Sequence, residues 1–357
     1  MEELIKLILE LTDAFGPSGY EKEVREILRT NLTACAEISY DNLGSIIASQ
    51  AGTKANPRIL LAAHLDEVGL MVRGVLPNGY LKVVPLGAWW APTLLAQRVV
   101  IMSRTGKHYG VMGAKPPHYM SDEERNRALK LDDLYIDLGV QNSEQVKALG
   151  IEVGDLVVPA VKTEVMSADG ALMGKAFDDR VGCAAIIKVL HELDGKHPNQ
   201  LVGAGTVQEE FGARGAHTVA ELVKPDLCLV IEGAPADDFL QSGSIIQGKL
   251  GGGVQLRYLD PTMIANRALM NLAVQTATQA GIPYQVAVRE GGGTDGRVIQ
   301  IAGSGVPTLV IGVPVRYAHS HQGIIQISDV EAMINLIKEL VVKLDEATVH
   351  QMRMNPY

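Results

Sequence analysis

The stretch GTVQEEFG closes an apolar run, residues 201–207, with two adjacent glutamates, Glu209 and Glu210, and a glycine close behind. Neighbouring strand residues point to opposite faces, so the pair cannot serve one solvated surface together. Adjacent carboxylates also repel unless positive charge lies between them. Other apolar runs stop in a similar way. LLAAHLDEVG supplies His64 and Asp66, CLVIEG supplies Glu232, and RYAHSH supplies His319 and His321. GKAFDDR sets Asp178 and Asp179 just ahead of a helical pattern. In open α/β sheets, ligands bind beyond the carboxyl ends of the strands. Histidines and carboxylates gathered there form a nitrogen and oxygen set that suits zinc, cobalt or manganese. Two divalent ions working in hydrolysis ask for a bridging carboxylate and roughly two further protein ligands each, and the inventory holds about that many.

Each residue alone also has an ordinary reading. His64 could be a core histidine bonded to the backbone. Asp66 could cap a turn, and Asp178 with Asp179 could be an acidic pair favoured by the helix dipole. Glu232 could be a solvated strand end, and His319 and His321 could lie in a surface loop. The coincidence of such residues at five strand or helix termini favours a shared site. GGGTDGR, residues 291–297, lacks the lysine and spacing of a phosphate loop, which argues against nucleotide binding. GKLGGG reads as a flexible turn and AKPPH as a rigid one, with His118 structural.

The elements that would carry these residues follow from the pattern. The chain has 357 residues, 47% hydrophobic and 20% charged, enough for one large domain or two. A net charge of −9 and the lack of a basic stripe argue against nucleic-acid binding. Three cysteines without paired spacing argue against a disulfide framework or a thiolate zinc site, and fit a reducing cytoplasm. The N-terminus has acids where a secretion signal needs bases. Leu4, Ile5, Ile8 and Leu11 there mark an amphipathic helix. No apolar run reaches membrane-spanning length. PSGYEKEVREILRTNL reads as a helix in which Ser18 and Glu21 have capping-box spacing. PRILLAAHLDEVG reads as a buried strand. From about residue 70 to 160, short strands separated by glycine and proline form an all-β module, with SDEERNRALKLDDL as a polar, partly helical excursion. Strands and helices then alternate to the last helix, SDVEAMINLIKELVVKLDEA. The alternation predicts an α/β fold, a sheet covered by helices on both faces, built from residues 1–69 and 162–357 with residues 70–161 inserted.

At GPSGYEKEVR, DNLGSIIA, AAHLDEVGLMV, GVMGAKPPHYMSDEER, GKAFDDRVGCAA, VQEEFGARGA, GGGTDG and VPVRYAHSHQGIIQISD, the chain resembles the TET-type aminopeptidases. These are dinuclear-metal deblocking or glutamyl aminopeptidases of clan MH, sometimes labelled cellulase-like or endoglucanase-like. The matching stretches run in order along nearly the whole chain. The resemblance implies a mixed sheet sandwiched by helices, as in the zinc exopeptidases, with the insert as a small barrel or PDZ-like dimerisation domain. It implies two divalent ions per subunit, zinc or cobalt, with manganese as a further candidate. His64, Asp178 and Glu232 would hold one, and Asp178, Glu210 and His319 the other, with Asp178 bridging. Glu209 would be the general base and acid, and Asp66 would orient His64 from behind. Thr294 and Asp295 would lie near the active site and position substrate. The peptide bond after Asp178 would be cis. Glu232 departs from the pattern, since many relatives carry Asp there. His321, where relatives more often carry other residues, would be a pocket-edge or surface residue.

The function so implied is a cytoplasmic metalloaminopeptidase trimming N-terminal residues from short peptides. The resemblance also implies a tetrahedral homododecamer built from dimers, its active sites facing an inner chamber that excludes folded proteins. Neither nucleic acid nor membrane enters this reading. Two alternatives stand beside it: glycoside hydrolysis, which needs two carboxylates and no metal pair, and a catalytically inactive metal-binding scaffold. The preferred N-terminal side chain stays open at the level of sequence.

Overall fold

The strand Arg58–His64, ILLAA at its centre, is buried along nearly its whole length, as is Gln200–Thr206 beside it. A continuous apolar run of this kind forms where both faces of a parallel sheet are covered, since neither face can carry polar residues. The computed structural model describes residues 1–166, 169–239 and 245–355. Its main sheet runs in the order Glu37–Tyr40, Ile46–Ala51, Gln200–Thr206, Arg58–His64, Leu227–Pro235, Thr308–Val315 and Val254–Asp260. Met263–Ile264 and Tyr284–Val288 both pair with the last of these. The four central strands are parallel, and antiparallel partners flank them. The sheet is therefore mixed, and its parallel centre sends the ends of four strands toward one edge.

Helix Phe177–Leu193 packs against Arg58–His64 and Leu227–Pro235, and helices Glu2–Asp13 and Ile327–Val341 pack on it in turn. Helix Arg214–Val223 lies against Gln200–Thr206 and Arg58–His64. Leu4, Ile8 and Leu11 of the first helix are buried, as the 3.6-residue spacing predicts, while Ile5 is partly buried. The final helical pattern is broken. Ile327–Val341 ends, and Asp345 caps a new helix, Glu346–Met354, by accepting from the Thr348 N–H at 2.8 Å. No helix among the described residues is long and apolar enough to cross a membrane.

Between Gly69 and Pro159 six antiparallel strands close into a barrel. Their order is Gly69–Val75, Leu81–Leu86, Leu134–Asp137, Gly106–Ala114, Arg98–Ser103 and Leu156–Pro159. Val99 and Ile101 alternate into the barrel core with Leu70, Val72, Leu81 and Val157. Val100, on the other face of its strand, joins Leu86, Leu156 and Val158 in a cluster around Phe15 of the main domain. The barrel therefore rests on the main domain through an apolar contact. A small three-stranded sheet, Glu164–Val165, Ala171–Gly174 and Gly323–Gln326, has no clear sequence signal. It pairs the chain leading into Asp178 with the chain leaving His321.

Candidate metal centre

The parallel strands deliver their end residues to one place. His64 closes its strand, and its Nε2 stands 3.0 Å from Asp178 Oδ1 and 3.3 Å from Glu232 Oε1. His319 brings its Nε2 to 3.3 Å from Asp178 Oδ2 and 3.1 Å from Glu210 Oε1. The two oxygens of Asp178 thus face different histidines, and each histidine has its own glutamate. Donor atoms of His64, Asp178 and Glu210 lie close enough together to hold a metal ion, as do those of His64, Asp179 and Glu232. Four ligands set tetrahedrally at about 2.0–2.1 Å from a metal stand roughly 3.3 Å from one another. The contacts seen here span 3.0–3.3 Å, so the donor set fits divalent cations.

The electrostatics agree. Burial alone would push every one of these carboxyls upward. Against that push, hydrogen bonds with His319 and His64 hold Asp178 well below the usual carboxylate range. Burial opposes protonation of His319, yet Asp178 and Glu210 raise it to about 11. Burial and then the charge of Asp178 push Glu232 up to about 8. Glu209 is raised well above its ordinary value, foremost by burial and further by Glu232, Asp295 and Glu210, with His64 opposing. This cluster of carboxylates demands positive charge, which protons on the two histidines or bound cations can supply. The adjacent glutamates of the opening stretch are therefore not redundant: Glu210 faces His319 while Glu209 lies within the field of His64 and Glu232.

Backbone geometry aims these groups. Asp178 and Asp179 are joined by a cis peptide bond, and the regular helix begins only after them. Ala176, Gln208 and Tyr317, each two residues before Asp178, Glu210 or His319, and His319 itself adopt left-handed φ values of 56–59°. Such conformations are uncommon outside glycine and gather at functional sites where surrounding contacts impose them.

The structure gives Asp66 a further part beside His64. The His64 Nδ1 meets the main-chain oxygen of Asp66 at 3.0 Å, while the carboxylate Oδ1 is farther, at 3.5 Å. The carboxylate accepts instead from the main-chain N–H of Glu209 at 2.9 Å, of Glu210 at 3.1 Å and from the Ser18 hydroxyl at 2.6 Å. It is fully buried. Asp66 therefore fixes the two glutamates as much as it orients His64. The capping-box spacing of Ser18 and Glu21 is not used as such, because Ser18 serves Asp66. Glu21 accepts from the N–H groups of Gly19 and Gln208, and burial followed by the charge of Asp66 raises it to about 7.

Thr294 and Asp295 are enclosed, with Asp295 accepting from the Thr206 hydroxyl at 2.5 Å. Asp295 thereby braces the strand end that leads into Glu209, while the Thr294 hydroxyl oxygen accepts from the Gly296 N–H at 3.2 Å. His321, expected at a pocket edge or on the surface, lines the pocket edged by Ala88, Trp89 and His319 and is no surface residue. It is buried, its Nε2 donates to the Arg98 carbonyl at 3.1 Å, and its ring lies 5.9 Å from that of Trp89. His118, in its turn, is exposed. Sequence reasoning gathers Asp179 with Asp178 without a separate role, and Lys175 and Arg180 escape it. Asp179 accepts from the His64 N–H at 3.1 Å and the Gly182 N–H at 3.0 Å. Lys175 donates to Glu67 at 2.6 Å and to the Ala14 carbonyl. Arg180 donates to the Leu11 and Gly16 carbonyls in the same buried network. Nothing in the local sequence marks that pairing.

Comparison with known proteins places this site in a class. Residues 44–336 match the model of the M42 glutamyl aminopeptidase family. The glutamyl aminopeptidase of Lactococcus lactis is 34% identical over 98% of this chain and 99% of its own. The structure of a TET aminopeptidase from a marine-sediment thaumarchaeote is 38% identical, covers 98% of both chains and superimposes with a TM-score of 0.95. The TET1 peptidase of Pyrococcus horikoshii, described as assembling into a tetrahedron or a large octahedral shell, is 30% identical. It covers 96% of this chain and 100% of its own, with a TM-score of 0.85. The fold and site thus define a peptidase that removes N-terminal residues. The chain belongs to the M42 family and is a metal-dependent aminopeptidase. Glycoside hydrolysis is not favoured.

Proposed function

We propose that the protein cleaves N-terminal residues from short peptides with two divalent ions held on a shared aspartate. The observation that carries this reading is the divided loyalty of Asp178, whose Oδ1 and Oδ2 face His64 and His319 respectively. His64, Asp178 and Glu232 would form one ligand set, and Asp178, Glu210 and His319 the other. Cations bound there would polarise the scissile carbonyl and ease deprotonation of the attacking water. Glu209 takes the proton of that water as it attacks and hands it to the departing amine, a shuttle suited to a carboxyl that burial holds above its ordinary value. Asp66 holds Glu209 and Glu210 by their main-chain N–H groups. The acidic surroundings favour a substrate that arrives with a cationic α-amine. Zinc or cobalt is the expected metal, with manganese a third candidate, since availability often decides among cations that such sites accept. The closed barrel would mediate pairing of subunits within a tetrahedral dodecamer. Trp90, Tyr109, Val111 and Tyr119, all exposed on this insert, support a role in association.

The test is hydrolysis of a panel of aminoacyl and N-acetyl-aminoacyl reporters by chelated protein, then with zinc, cobalt or manganese restored. Metal-dependent activity confined to free amines is expected. Glu209→Gln should lower kcat by about 10²–10⁴-fold, the usual worth of general acid–base catalysis, while keeping its metal. Metal-loaded protein that leaves every peptide intact would refute the proposal.

A further inference from the structure

The insert reaches the metal centre through residues 86–90 of the barrel. His319 turns its Nδ1 toward the carbonyl oxygen of Ala88, 3.0 Å away, while its Nε2 faces Asp178 and Glu210. A carbonyl oxygen can only accept, so Nδ1 carries a hydrogen, and a cation bound among Asp178, Glu210 and His319 would meet the Nε2 lone pair of the neutral ring. What aims the Ala88 carbonyl is therefore part of what aims His319.

The neighbours of Ala88 do this on both sides. Gly87 has a φ of 84° and lies so close to the main domain that a Cβ would come within 2.7 Å of Val68 and 3.2 Å of Glu210. Only glycine combines that backbone with that approach. On the other side, the Trp89 indole N–H donates to the Gly69 carbonyl at 2.9 Å. Gly69 lies five residues beyond His64, where the main domain passes into the barrel. The Trp89 ring also tilts against buried His321, which donates to the carbonyl of Arg98 on another barrel strand. The barrel thus grips the 319–321 segment at two points.

We propose that Trp89 is a positioning residue for His319, acting through the Ala88 carbonyl, so that the barrel completes one of the two cation sites. This rests on the reading of His319 as a ligand of the pair. Histidine ligands of metals generally donate their second nitrogen to such an acceptor, and loss of the partner lowers metal affinity or activity by about 10–100-fold. Here the acceptor is main chain from the inserted module, so its placement is set by the side chain that anchors it.

The test is a cobalt titration of metal-stripped wild type and Trp89→Phe, followed by visible absorption and calorimetry. Phenylalanine keeps the ring against His321 and loses the N–H. Wild type should bind two equivalents. In Trp89→Phe the His64 equivalent should bind as in wild type, and the His319 equivalent about 10-fold or more weakly, with altered absorption bands. kcat should fall while KM changes little. Should that variant fail to fold, Ala88→Gly, which keeps the carbonyl but frees its backbone, reads the same quantity and should weaken the same equivalent. A folded variant that binds both equivalents with wild-type affinity would overturn the proposal. A wild type that binds fewer than two would overturn the two-cation reading beneath it.

Discussion

Replacing Asp66 with alanine separates two roles that a carboxylate beside a histidine could play. The side chain accepts from the N–H groups of Glu209 and Glu210 and from Ser18. The main-chain oxygen, which meets His64 Nδ1 at 3.0 Å, survives the substitution. Two main-chain donors lose their acceptor, at about 1–3 kcal/mol each when enclosed, while relief of a buried charge offsets part of that. A net loss of about 2–4 kcal/mol follows, a large share of the roughly 5–15 kcal/mol that holds a domain folded. The consequence for the site is uneven. His64 keeps its orientation, so the cation site of His64, Asp178 and Glu232 should bind nearly as before. Glu209 and Glu210 lose their anchor, so kcat should fall by at least about 10-fold. Urea denaturation of chelated protein measures the first quantity, and cobalt titration with reporter kinetics measures the others. A variant of wild-type stability and kcat would refute the assignment of the Glu209–Glu210 anchor to Asp66. Loss of the His64 site alone, with kcat recovered at saturating metal, would return Asp66 to the simpler role of histidine orienter.

Gly233→Ala tests whether Asp178 is held from below: a Cβ at Gly233 would lie 2.6 Å from the Asp178 Cα, so the variant should lose affinity for both cations, read by calorimetry, although residue 233 touches neither. His321→Gln tests the pH dependence of the anchor. Burial pushes His321 down to about 4, with the Arg98 carbonyl opposing. The unfolded chain, with an ordinary value near 6.5, then binds the proton more tightly, so stability is fully present above about 6.5 and is lost as pH falls toward 4. The window is worth about 3 kcal/mol at most. Denaturation midpoints of chelated protein across it should fall less steeply for the glutamine variant, and parallel slopes would refute the assignment.

Much of this protein was determined by its sequence alone. Buried parallel strands need continuous apolar runs, so ILLAA and LVGAGTV were legible as strands, and the chemistry stood out because it interrupts them at their ends. Type and position gathered His64, Asp66, Asp178, Asp179, Glu209, Glu210, Glu232, His319 and His321 as candidates, and the resemblance to the TET-type aminopeptidases chose among them. The short strands of residues 69–159, punctuated by glycine and proline, announced an all-β module. What the sequence could not carry was anything set by contacts between distant segments. Ser18 looked like a helix cap because capping depends on spacing, but its hydroxyl is claimed by Asp66, 48 residues away. His321, expected at a pocket edge or on the surface, does line a pocket, but the barrel buries it by a bond to Arg98, which lies far off in sequence. Thr294 and Asp295 sit in a glycine-rich stretch whose sequence does not show that both are buried or that Asp295 is bonded to Thr206 of a neighbouring strand. The grip of the barrel on His319 belongs to the same kind. It depends on a carbonyl, which every residue has, so no side-chain pattern can announce it, and only the docking of one module on another decides where it points.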